Sequence, residues 1–297
     1  MKKFWLILVL ILAAITSSCG LFDEEEETPE EEPEENIEVS APENIIQENL
    51  EKERQIFAQK IQEIADGPTI LALNYHQVVD TFTSLAIPPY TFDTQMDYLT
   101  SHGYVSITPE ELTAGLNGEL QLPEKPVLIT FDDGYVDNYT NAFPILKRYG
   151  MRATIFVVPA FVGKRDGYLT WDQLREMEQG GITIQSHTLN HRKLEELPDD
   201  EIRSELLNSK LVLEEQLGHP VEYLAYPTGT YNLHIAEIAK DVGYKGAYTI
   251  KYGSIDLGSN LFALERVPIF QTEKTMKDFY ERIAYRQSFE EFGWRKN

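Results

Sequence analysis

From residue 69 onward, short runs rich in β-forming residues alternate with helical patterns, and this alternation constrains the chain more than any other feature. The runs cover residues 69–75, 126–131, 153–158, 182–185, 221–226, 246–250 and 266–270. Each is four to seven residues of mostly apolar, strand-favouring side chains. Between most of them the apolar period lengthens to that of a helix. Phe92, Met96 and Leu99 share one helical face. Thr108-Pro109-Glu110-Glu111 reads as a capping box with Pro at the first helical position. Thr170-Trp171-Asp172-Gln173 opens another helix in the same way, and a long amphipathic stretch over 199–217 ends at Gly218. A last helix is predicted over 275–285. Strand–helix alternation calls for a mainly parallel sheet, because parallel neighbours need a crossover. Seven strands in roughly 230 residues predict one α/β domain, a distorted (β/α)7 barrel, rather than two domains.

In such folds chemistry gathers at the C-terminal ends of the strands. The first predicted strand ends in Tyr75-His76 and the second in Asp132-Asp133-Gly134. The fourth ends in Ser186-His187-Thr188-Leu189-Asn190-His191, and the fifth in Tyr226-Pro227. A barrel therefore brings three histidines and two aspartates to one rim. His187 and His191 are four residues apart, which on a helix or tight turn puts two imidazoles on one side, as a divalent metal needs. Thr188 stands where a metalloprotease motif needs Glu. Asp132-Asp133 read alone is equally a turn and helix cap. On an extended segment the two carboxylates point opposite ways, so they can divide labour. His76 read alone is a packed structural residue. His102, His219 and His234 lie beside predicted helix ends, without partners in sequence.

The net charge of −23 arises largely from an acidic run at 23–35 and describes a tail more than the folded body. No basic patch exists, which argues against nucleic acid as a partner. The single cysteine, Cys19, excludes an intrachain disulfide framework and a cysteine-rich zinc site. Lys2 and Lys3, an apolar run over 4–15 and Thr16-Ser17-Ser18-Cys19 compose an export signal too short for a transmembrane span. Residues 20–45, rich in Glu and Pro, cannot bury enough surface to offset chain entropy and are expected to form a disordered acidic tether. A helical lead-in is expected over 46–68 and a catalytic domain over 69–297, acting as a monomer.

Thr130-Phe131-Asp132-Asp133-Gly134, followed one β-α-β step later by Ser186-His187-Thr188-Leu189-Asn190-His191, resembles the polysaccharide deacetylase family (NodB-homology, carbohydrate esterase 4). The resemblance runs over about residues 69–270 and includes Leu169-Thr170-Trp171-Asp172. It implies metal-dependent removal of acetyl groups from an N-acetylated polysaccharide. Asp132 would be the general base, and Asp133, His187 and His191 would hold a divalent metal, zinc foremost, with cobalt, nickel and iron as alternatives. The family's Arg-x-Pro-Tyr motif reads Ala225-Tyr226-Pro227-Thr228, so its charge partner for the base is expected to be missing, while the Tyr226 amide would hold the oxyanion. Leu264-Glu265-Arg266 lacks the histidine of the family's late Leu-x-His motif. Asn74-Tyr75-His76, with Phe92-Asp93-x-Gln95-Met96-x-x-Leu99 and Gly103-Tyr104, is similar instead to the poly-N-acetylglucosamine deacetylases, which implies His76 as the acid. Tyr135, Trp171 and Tyr226 would offer flat faces to a pyranose ring, with core packing an equal role for Trp171. Among poly-N-acetylglucosamine, peptidoglycan and chitin-like polymers the subgroup favours the first. The N-terminal segment resembles a bacterial lipoprotein signal, which implies a lipidated Cys19 anchoring the exported protein to the extracytoplasmic side of the cell membrane. Two other classes stay open, a non-catalytic carbohydrate-binding protein and an amidase or esterase acting on a non-sugar acyl group.

Overall fold

The computed structural model describes residues 69–270 except Phe82, the helix Met276–Ile283, and positions 48, 51, 52, 54–56 and 59, which are helical. The expected signal segment, the acidic tether and most of the helical lead-in lie outside the described residues. Residues 1–53 group apart from residues 54–297, and the barrel belongs wholly to the second unit.

The strands in chain order are β1 (Leu71–Tyr75), the two-residue β2 (Gln77–Val78), β3 (Ala86–Ile87) and β4 (Val105–Ser106), then β5 (Pro126–Asp133), β6 (Ala153–Val157), β7 (Ile182–Ser186), β8 (Tyr223–Ala225), β9 (Gly246–Tyr252) and β10 (Leu264–Pro268). Seven parallel strands close a ring in the order β1-β5-β6-β7-β8-β9-β10, with β10 returning to β1. All seven predicted strands are present, their ends shifted by a few residues. The sequence did not reveal β2, β3 or β4, because two residues carry no period. β4 lies along the start of β5, pairing Ser106 with Val127, on the edge that β6 takes over from Thr130 onward.

Closure explains why the strand runs show so little polar alternation. Both faces of β5 are buried throughout its length. Ile70, Ala72, Leu128, Phe156, Tyr248 and Leu264 pack into one cluster that fills the barrel. Residues of the other parity, among them Leu71, Leu73, Val127 and Ile129, join the surrounding helices in a larger cluster with Phe92, Leu99, Leu174 and Leu206. Burying one such side chain contributes about 1.5–3 kcal/mol, so each strand's register is strongly set. The same alternation turns Asn74, Thr130, Asp132 and Arg266 into the barrel, all fully or almost fully buried.

The helix starts match the sequence reading. Thr108 and Glu111 form a reciprocal capping box, as do Thr170 and Gln173, each worth about 1 kcal/mol. The helix Asp199–Leu217 carries Asp199, Asp200 and Glu201 in its first turn, where the dipole favours them, and ends at Gly218 with φ 81°. The described part of the last helix, Met276–Ile283, falls within the predicted 275–285.

Candidate active site

β5 ends abruptly. Asp133 and Gly134 both adopt left-handed conformations, with φ 73° and 79°. A Cβ on Gly134 would lie 3.0 Å from Val157 Cγ1, so only glycine suits that position. Simple alternation would send Asp133 to the face opposite Asp132; the left-handed turn re-aims it instead. Its Oδ1 lies 3.5 Å from His187 Nε2 and 3.3 Å from His191 Nε2. The three ligand atoms all fall within 4.8 Å of one another. Ligands about 2.0–2.1 Å from a tetrahedral zinc sit about 3.3–3.4 Å apart, so the trio fits a divalent cation with open positions remaining.

His187 and His191 lie on a tight turn rather than a helix. Thr188 and His191 take φ 62° and 58°, a costly conformation for non-glycine residues and especially for a β-branched one. Glu205, 3% exposed on the long helix, holds the turn in place. Its carboxylate accepts from both the backbone N–H and the Nδ2 of Asn190, each at 2.8 Å, and its carbonyl accepts from the Leu189 N–H. His187 Nδ1 lies 2.8 Å from the Ala225 carbonyl, which places its proton there and leaves Nε2 free to ligate. Burial disfavours charge on His187, but the Asp133 hydrogen bond and the Asp132 and Asp133 charges outweigh it and raise its pKa. Burial, reinforced by the His187 charge, lowers that of His191.

Asp132 has the charge partner that the sequence reading expected to be missing. Arg266, fully buried on β10, donates from Nη1 to Oδ1 at 2.8 Å and from Nη2 to Oδ2 at 2.7 Å. Asn74 Nδ2 donates to Oδ2 at 2.9 Å. Arg266 is itself satisfied by the Thr249 carbonyl and Thr130 Oγ1, and its guanidinium lies over the Phe156 ring. Ala225 thus leaves no gap: the guanidinium comes from another strand. Burial alone would raise the Asp132 pKa, but the Arg266 charge, helped by His187, holds it well below the usual carboxylate range. Three donors occupy three of about four acceptor sites on the carboxylate, leaving one, on Oδ1.

His76 follows β1 and feels the charges of Asp132, Asp133, Arg266 and His187, so it shares their rim. Burial lowers its pKa despite the two carboxylates, and its Nδ1 is buried without a hydrogen-bond partner. The backbone around it is gripped from the segment after β5. Asn138 Nδ2 donates to the His76 carbonyl at 2.8 Å, the Val78 N–H to Asp137 Oδ1 at 2.7 Å, and Asn141 Nδ2 to the Val78 carbonyl at 2.8 Å. Nothing in the local sequence pattern marked Asp137, Asn138 or Asn141, because their partners lie about 60 residues away.

Tyr226 does not do what the sequence suggested. Its N–H donates to the Tyr248 carbonyl at 3.0 Å, continuing the β8–β9 ladder, so it is not free for an oxyanion. Its ring is fully buried against Tyr231, and its hydroxyl donates to the Phe262 carbonyl, so it offers no face to a sugar. Tyr135 is brought to the site. Burial first, and then the neighbouring Asp133 and Tyr168, raise its pKa. Trp171 heads its helix and packs half-buried against the outer core. The other histidines are peripheral: His102 caps a helix, and His219 and His234 pair with Glu178 and Asp199 on the surface.

Comparisons with known proteins bear on family and fold. The family model described as polysaccharide deacetylase matches residues 119–247. YxkH of Bacillus subtilis (strain 168), a protein named for that same family, is 33% identical over 271 residues, covering 91% of this chain and 94% of the relative. A poly-β-1,6-N-acetyl-D-glucosamine N-deacetylase of Staphylococcus aureus (strain MRSA252) is 28% identical over 227 residues, covering 67% and 78% respectively. The solved structure of the Streptococcus pyogenes deacetylase PplD in complex with acetate superposes with a TM-score of 0.69 at 31% identity, covering 73% of this chain and 99% of the other.

Proposed function

The chain belongs to the polysaccharide deacetylase family, and we propose that it hydrolyses the acetamide of N-acetylglucosamine units in a surface polysaccharide, releasing acetate. The observation that carries this reading is the placement of the Asp133–His187–His191 trio beside an arginine-clamped Asp132 and a neutral His76 on one barrel rim. The trio would hold the divalent cation, and its one carboxylate and two imidazoles suit zinc. When bound, such a cation would polarise the acetyl carbonyl and lower the pKa of an attacking water toward neutrality. Asp132 takes the proton of the attacking water at its remaining acceptor site. His76, unprotonated at rest, accepts the proton that Asp132 has taken from the water and delivers it to the sugar nitrogen as the carbon–nitrogen bond breaks. The products are acetate and the amine. Arg266 and Asn74 fix the Asp132 carboxylate, and the Asn138 and Asp137 contacts fix His76. Arg266 also removes the main sequence argument for a non-catalytic binding protein, which rested on Ala225.

Acetate release from N-acetylglucosamine oligomers should stop on treatment with a strong chelator and return on adding zinc. Release that persists after the metal has been removed, as measured by elemental analysis, would refute the metal-dependent mechanism.

The exported, membrane-anchored location is proposed on the Lys2–Cys19 segment alone. A lipidated Cys19 predicts incorporation of labelled palmitate that Cys19→Ala abolishes. An unlabelled wild-type protein in the same cells would reduce the segment to an ordinary export signal.

A further inference from the structure

The loop over 159–169 is tied to both metal-binding segments. Its Leu169 N–H donates to the Gly134 carbonyl at 3.0 Å, and its Gly167 carbonyl accepts from the Val136 N–H at 2.8 Å. Ala160 N–H donates to the Leu189 carbonyl, between the two ligand histidines, at 3.1 Å. Internal bonds close it further, from Gly163 N–H to the Leu169 carbonyl and from Arg165 N–H to the Phe161 carbonyl. Side chains on this loop are therefore presented from a fixed frame rather than from a floppy lid.

Those side chains build a shelf that starts at the metal trio. Tyr135, two residues past Asp133, lies tilted by 31° against Tyr168 with ring centroids 4.9 Å apart, and Tyr168 meets Phe161 edge-on at 5.0 Å. All three rings are partly exposed. The Arg165 guanidinium lies 4.7 Å from the Phe161 ring and 5.0 Å from the Tyr168 ring, and Arg165 is exposed. Stacking on two rings orients the guanidinium plane and leaves its N–H edge open to a ligand. The other six arginines between residues 69 and 270 each pair with a carboxylate: Arg148 with Asp93, Arg152 with Glu111, Arg175 with Asp172, Arg192 with Glu201, Arg203 with Asp241 and Arg266 with Asp132. Among the described residues Arg165 has no such ion pair, although the chain carries a net charge of −23. An oriented cation, left unpaired in an acidic protein and connected to the reaction centre through two ring contacts, calls for an anion from outside.

We propose that Arg165, seated on Phe161 and Tyr168 beside Tyr135, forms a subsite for an anionic group, a carboxylate or phosphate on a sugar near the reacting acetamide. The inference rests on the deacetylase reading and narrows its substrate class to acidic N-acetylated glycans. Poly-N-acetylglucosamine, a neutral polymer, offers this arginine no counter-charge.

The test compares three oligosaccharides: neutral N-acetylglucosamine tetramer, a tetramer alternating N-acetylglucosamine with N-acetylmuramic acid, and an N-acetylglucosamine oligomer carrying a terminal phosphate. The wild-type protein should favour at least one anionic substrate over the neutral one in kcat/KM by about tenfold, the size of one charge-assisted contact. Arg165→Gln should collapse that ratio, whereas Lys240→Gln, the same charge change on an exposed helix position, should keep it. Raising salt from about 50 to about 500 mM should shrink the ratio in the wild type and not in Arg165→Gln. Whichever anion carries the preference identifies the source. No wild-type preference, or an Arg165→Gln effect equal on all three substrates, would overturn the subsite. If none of the three releases acetate, the deacetylase reading fails by itself. Calorimetric titration of the same oligosaccharides then decides the subsite alone, with tighter anion binding that Arg165→Gln abolishes in its favour and equal binding against it.

Discussion

Asp132→Asn is expected to cut acetate release by about a thousandfold while the metal trio keeps its cation. Asn matches Asp in shape but cannot take a proton from water, and Asp133, His187 and His191 are untouched by the change. The variant will also be less stable. Asn keeps one acceptor oxygen for Arg266 but turns an N–H₂ toward a guanidinium that now lacks its counter-charge. Turnover should therefore be compared well below the variant's Tm, with bound metal measured in the same sample. A folded, metal-loaded Asp132→Asn protein with full activity would remove Asp132 as the base. The partner role of His76 makes a different demand. His76→Ala should lose most acetamide hydrolysis yet retain much of its activity on an aryl acetate, whose leaving group departs without a proton. Equal losses on both substrates would mean that His76 supports the site rather than protonating the amine.

Arg266→Met should lower stability by about 3–5 kcal/mol at neutral pH, the usual cost of stripping one partner from a buried pair. The pH dependence gives the result a sign. In the wild type the folded Asp132 pKa lies below its unfolded value of about 3.9, so its contribution is present above that pH and is lost as pH falls toward the depressed folded value. Without Arg266, burial, the largest influence on Asp132, is opposed only by the His187 and His76 charges and the Asn74 hydrogen bond, and the folded pKa is expected to rise above the unfolded one. The folded variant then binds the extra proton, and its stability falls as pH rises through that interval. The gap between wild type and variant should therefore already be open at about pH 4, widen further up to the variant's folded pKa and then level off, as read by urea unfolding at several pH values. A gap independent of pH would mean that lost packing, not the stranded carboxylate, causes the destabilisation. Replacing both residues with apolar ones should recover much of the loss while abolishing activity, because an apolar pair leaves no buried charge unpaired.

Much of this protein is legible along the chain. Thr108-Pro109-Glu110-Glu111 and Thr170-Trp171-Asp172-Gln173 announce their helices because a capping box closes within four residues. The seven barrel strands declare themselves because burial on both faces requires near-continuous apolar runs. Asp133, His187 and His191 stand out because each ends a strand whose tip a barrel gathers to one rim.

What escaped the sequence depends on partners far away or on backbone torsions. Arg266 looked like an altered late motif, yet it lies against Asp132, 134 residues earlier, because closing the ring through β1 sets the inward face of β10 beside that of β5. No local period says which of two inward-facing residues in different strands share a layer; register and closure decide it. The amide of Tyr226 looked free until its pairing with β9 consumed it. The left-handed turns at Asp133, Thr188 and His191 aim the ligands inward, and they persist only because Glu205 and the strand ladders hold them there. Sequence alone determined the seven barrel strands, the capped helices and the Asp133, His187 and His191 candidates for a metal site, since those signals are local. The tertiary structure decided which buried charge steadies Asp132 and which backbone groups remain available, since both are set by contacts between segments distant in the chain.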